Sequence, residues 1–120
     1  MTVEECYSNI GGSYEEVKSR LRDDARIIKF MGMFMRDQSF QTITDAIANQ
    51  DYAEAFKGAH SLKGVSSNMA FTRLYEAVDE LTEDLRGGSS SENTLNLYEK
   101  TKDIYEAVAR AIKEFQDAQA

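Results

Sequence analysis

The chain's single histidine lies in the stretch Ala59-His60-Ser61-Leu62-Lys63-Gly64-Val65-Ser66-Ser67-Asn68-Met69-Ala70-Phe71, in the middle of a helical pattern. At about 100° per residue, Tyr52, Ala55, Ala59, Leu62, Ser66 and Met69 fall on one side of that helix, and His60, Lys63, Gly64 and Ser67 share a stripe beside it. The imidazole is therefore expected to face solvent. A neutral imidazole is a nucleophile, and at the ordinary histidine pKa of about 6.5 an exposed ring is mostly neutral near pH 7. No activating base is then required. Lys63, one turn away, would stabilise a phosphoryl group carried on the ring. Gly64 stands where a helix prefers alanine by roughly 1 kcal/mol, which points to clearance around the imidazole. Ser67, about two turns on, has two readings of equal weight: a hydrogen bond to the ring or phosphoryl group, or simple solvation. Ser61 points elsewhere and is expected to be neutral to function.

His60-Ser61-Leu62-Lys63-Gly64, followed by Ser67, Asn68 and Phe71, resembles the signature of histidine phosphotransfer domains. The resemblance in helix order and loop position runs over nearly the whole chain. It implies a four-helix bundle that carries a phosphoryl group between aspartates of response-regulator or hybrid-kinase receiver domains. By the same resemblance the outer ring nitrogen, Nε2, reacts, Gly64 admits the partner's active-site loops, and the receiver supplies Mg²⁺ and most of the electrostatic catalysis. Such a protein is a stoichiometric covalent carrier, not an enzyme. The family usually has a second glycine ten residues after its histidine, where this chain has Ala70. That departure bears on the helix ending rather than on the chemistry, since position 70 is nearly three turns from His60.

A chain of 120 residues, 42% of them hydrophobic, fits one domain spanning 1–120 with a single core. The absence of proline and the abundance of Ala, Glu, Lys and Leu argue for an all-α protein. A net charge of −7 would repel a nucleic-acid backbone. One cysteine, Cys6, excludes an intramolecular disulfide, and with one histidine it cannot build a Cys/His zinc site. Cys6 is expected in the core. The acidic start Met1-Thr2-Val3-Glu4-Glu5 has neither a basic n-region nor an apolar h-region, and no stretch approaches 18 apolar residues. These features favour a cytoplasmic protein that does not enter membranes, and a monomer.

Capping-box spacings at Thr2/Glu5 and Ser13/Glu16 predict short helices over 3–10 and 14–21, the second burying Val17 and Leu21. Over 24–37, Ile27, Phe30, Met31 and Phe34 form one apolar face, with Ile28 and Met35 left over at its side. The N-terminal helices covering that surplus is the favoured reading; the other is a docking patch near His60, made with Phe56 and Lys57, whose charge would add positive potential before the histidine. A break at Asp37-Gln38-Ser39, with Ser39 as cap, leads to a segment bearing Phe40, Ile43 and Ile47. Asn49-Gln50-Asp51 makes a tight turn, and Asp51 with Glu54 starts the His60 helix. It ends near Asn68 or Met69, and after a brief turn around Ala70 the next helix, to about Arg86, buries Phe71, Leu74, Val78, Leu81 and Leu85. Asp79, Glu80, Glu83 and Asp84 read as a solvated face. After the flexible loop at 87–91, a last helix over about 92–118 presents Leu95, Tyr98, Tyr105, Val108, Ile112 and Phe115. Short connections make the result an up-down-up-down four-helix bundle with short additional N-terminal helices.

Several chemistries have no support. A di-iron bundle needs Glu at position 57, which is Lys57. There is no G-x-S-x-G elbow and no phosphate-binding glycine loop, so no nucleotide, cofactor or metal is expected. Besides the carrier, two readings remain: a helical adaptor docking partners through the Phe30 to Met35 surface with His60 incidental, and, more weakly, a hydrolase using His60.

Overall fold

The computed structural model describes residues 1–119. Among them are seven helices and no strand: α1 (Val3–Ile10), α2 (Tyr14–Leu21), α3 (Asp24–Arg36), α4 (Ser39–Ala48), α5 (Tyr52–Asn68), α6 (Thr72–Leu85) and α7 (Thr94–Gln119). The local signals for the N-terminal helices act as the spacing predicts. Thr2 and Glu5 form a reciprocal capping box, whereas Ser13 caps Glu16 N in one direction only, because the Glu16 carboxylate is taken by Arg20 at 2.8 Å. Asp51 likewise accepts from Glu54 N at 3.2 Å and starts α5.

Ser39 does not cap α4. The N-cap is Gln38, without a side-chain bond; Asp37 takes the Ser39 N–H at 2.9 Å, and the Ser39 hydroxyl donates to Ser61 Oγ at 2.9 Å. Ser61 is thus a structural link between α4 and α5.

Helix α5 lies between α4 and α6, and α6 packs on α7. The tight turns from α4 to α5 and from α5 to α6 force those neighbours antiparallel. The bundle closes through aromatic contacts from α3 and α4 to α7: Phe34 to Tyr105 at 5.6 Å, Phe40 to Tyr105 at 4.3 Å and Phe40 to Tyr98 at 5.9 Å between ring centroids. Helix α1 packs on α7 and α2 on α3, burying Val3, Cys6, Tyr7, Ile10 and Val17. Leu21 is only half-buried. Leu95 is 65% exposed and does not belong to the buried face of α7, which begins with Thr94 and Tyr98. The acidic residues of α6 are not merely solvated. Asp79 pairs with Lys63, Glu80 with Lys100 and Glu83 with Arg86, and Asp84 accepts from the hydroxyls of Ser91 and Thr94 to pin the loop before α7.

The turn after α5 is held from below by the N-terminal segment. Tyr7 Oη donates to Met69 O at 2.7 Å, and Ser13 N donates to Ala70 O at 2.9 Å. Ala70 has φ +56°, the left-handed conformation that glycine adopts without penalty. The helix nevertheless ends at Asn68, so the missing glycine costs local strain and does not move the ending.

Glycine at position 58 serves helix contact. A Cβ there would lie 2.9 Å from Ile43 Cγ1 and 3.1 Å from Ser39 O, so α4 must retreat from α5 to admit one. We expect Gly58→Ala to lower stability by about 1 to 3 kcal/mol as overpacking, read from urea unfolding. A gain, as helix propensity alone dictates, would mean the α4 to α5 contact yields freely.

Candidate functional site

Helix α5 exposes the stripe its periodicity predicts. Ala55, Ala59, Leu62 and Ser66 are buried, and His60, Gly64 and Ser67 are exposed, while Lys63 on the stripe and Tyr52 on the inner side are half-buried. The imidazole makes no hydrogen bond among the described residues. Side chains on a helix lean toward its N-terminus, and the His60 ring accordingly lies over Phe56, centroids 6.0 Å apart and planes inclined by 21°. Phe56 is half-buried and carries the Arg86 guanidinium 5.4 Å from its ring centroid, a cation–π contact. Arg86 is in turn held by Glu83 at 2.9 Å.

On the other side of His60, Lys63 Nζ meets Asp79 Oδ1 at 2.8 Å, and this carboxylate raises the lysine above its ordinary range. The two contacts, Phe56 with Arg86 at the C-cap of α6 and Lys63 with Asp79 within it, lie seven residues apart along the chain on both sides. A constant antiparallel register therefore brackets His60 between them.

Nothing lies within 4 Å of where a Gly64 Cβ would stand. Packing gives no reason for a glycine here, and the space beside the imidazole is open. Lys57 projects with a 75% exposed side chain and only a loose contact of 3.8 Å to Glu54. The Ser67 side chain makes no hydrogen bond among the described residues; its carbonyl accepts from Arg20 Nη1, a cation at the C-terminal end of α5.

His60, Phe56, Lys57, Lys63, Gly64 and Ser67 thus share one helix and one side of the bundle. Ile28 and Met35 do not join them. From α3, Phe30, Met33 and Phe34, with Asp37 at its C-cap, line an apolar groove of about 420 Å³ together with Arg20, Val65 and Asn68. Helical spacing puts Ile28 and Met35 on the opposite side of α3. Met35 packs against the core, leaving Ile28 37% exposed. The surplus apolar width of α3 is divided between these two sides.

Sequence reasoning missed Asp79 and Arg86. Their charges are plain in the sequence, but their partners are set by register between helices, which only the antiparallel turn of α5 into α6 fixes. Among the described residues no three His, Cys, Asp or Glu side chains are grouped to hold a metal ion, and no helix is long and apolar enough to cross a membrane.

A family model described as Hpt domain matches residues 33–116, which include α4 to α6, most of α7 and the His60 stripe. Comparison with curated proteins and with solved structures gives no match.

Proposed function

The chain belongs to the Hpt domain family, and from that premise we propose that it is a phosphorelay carrier whose phosphorylated residue is His60. The family implies a phosphotransfer carrier role in two-component signalling. In the finer reading, Nε2 of a neutral His60 attacks the acyl-phosphate of a receiver domain. Its lone pair forms the N–P bond as the P–O bond to the receiver aspartate breaks, the bonding electrons leaving with the carboxylate. The phosphorylated ring keeps its Nδ1 proton or yields it to solvent. The reverse step delivers the phosphoryl group to another receiver aspartate.

The observation that supports this most is the pairing of an exposed imidazole, without a hydrogen bond among the described residues, with open space at Gly64 on the same helix side. A protein partner needs such room, since reacting atoms must come within roughly 3 to 3.5 Å. The chain would act as one cytoplasmic, monomeric domain. It would lower no barrier by itself; the receiver's own Mg²⁺ site and dipoles would do so.

The adaptor reading has one observation in its favour, the apolar groove between α2, α3 and α5. One experiment separates the two. Added to a phosphorylated receiver domain and Mg²⁺, this protein should acquire acid-labile, base-stable phosphate within the time that the receiver loses it. A protein that stays unlabelled while it binds the receiver is an adaptor.

A further inference from the structure

Lys63 is not aimed at His60. Its side chain, 24% exposed, crosses to α6 and closes on Asp79 at 2.8 Å, while the imidazole leans the other way onto Phe56. Two more groups of α6, Glu83 and Tyr75, act on the same ammonium through weaker charge interactions. Glu83 is committed to Arg86 through two contacts, at 2.9 and 3.0 Å, and Asp79 has no other ion pair among the described residues. The lysine therefore has one anion in the unphosphorylated protein. A phosphoryl group on His60 would present a second, carrying about 1.5 to 2 negative charges one helical turn from the lysine's origin.

We propose that Asp79 is a positioning residue that stores Lys63 away from His60 and releases it to the phosphoryl group, so that the Lys63 to Asp79 pair sets how far the transfer equilibrium lies toward phosphohistidine. This rests on the carrier reading above. The lysine swings about its stem between two anions, and no bond to it forms or breaks. Partial exposure keeps the exchange gentle, because pairs of this kind are worth little and are screened by salt.

The test is a double-mutant cycle read on equilibrium. Phosphorylated receiver is mixed with the parent, Asp79→Asn, Lys63→Met and the double variant, and the label is partitioned between the two proteins at low salt. Asp79→Asn should move the partition toward this protein by about two- to fivefold, the range of an exposed ion pair. Lys63→Met, which keeps the stem and loses the charge, should move it the other way and slow transfer without abolishing it. In the Lys63→Met background, Asp79→Asn should have no effect. A merely structural Asp79 would shift the thermal unfolding curve and leave the partition alone, which would overturn the proposal. So would an Asp79→Asn effect that persists without Lys63, since the carboxylate would then act by direct repulsion. If the parent itself takes no label, the carrier reading fails and the latch fails with it; if the parent is labelled and Asp79→Asn changes nothing, only the latch fails.

Discussion

His60→Gln should fold as the parent does and take up no phosphoryl label from a phosphorylated receiver. The first half follows from position. The ring is exposed, makes no hydrogen bond among the described residues, and stacks on Phe56. An exposed substitution of this kind alters stability by about 0.5 kcal/mol in either direction, and Phe56 keeps its contact with Arg86. The second half follows from chemistry. Glutamine offers a neutral amide with no nucleophilic lone pair comparable to imidazole nitrogen, and the chain has no second histidine. Acid-labile label should therefore fall from near stoichiometric to background while the thermal midpoint stays within a degree or two of the parent. Label retained on the variant would sink the assignment of His60. Unfolding would mean that the His60 to Phe56 contact carries structure, contrary to its exposure.

How much of this could be read without coordinates varies with the physical range of each signal. Helix ends set by local capping, at Thr2, Ser13 and Asp51, lie where their spacing predicts. The cap at Ser39 failed because Asp37, two residues before it, takes the Ser39 N–H, and because the Ser39 hydroxyl is drawn to a long-range partner, Ser61 on the next helix. Leu95 failed for a related reason: the pattern of α7 continues through it, but no helix covers that side at its first turn, and the residue is left in solvent. The solvent stripe of α5 was legible because burial of Ala55, Ala59 and Leu62 needs only the helical repeat. What sits across from the stripe was not, because Asp79 and Arg86 reach it only through the antiparallel register of α5 and α6. Glycine was the most ambiguous letter. Gly58 and Gly64 stand in the same helix, and one removes a collision with α4 while the other faces empty space. Helix propensity penalises both alike and tells them apart in no way.

That contrast makes Gly64→Gln the sharpest remaining test, because packing and partner access predict opposite changes in one protein. Since nothing stands within 4 Å of a Cβ at position 64, a side chain there costs no contact within the fold. Glutamine is a far better helix former than glycine, so the variant should gain up to about 1 kcal/mol and unfold at least as late as the parent on heating. The same side chain would fill the room beside the imidazole. A receiver would then have to hold its acyl-phosphate back from Nε2, and a misplacement near 1 Å in a transfer of this kind costs about a hundredfold. Phosphoryl exchange with a receiver should slow to that extent, while exchange with phosphoramidate, which needs far less room, should slow much less. Measured side by side, a stable variant with a selective loss toward the receiver assigns Gly64 to partner access. An unfolded variant would mean that position 64 packs closely after all, and a parental rate with the receiver would end the clearance argument.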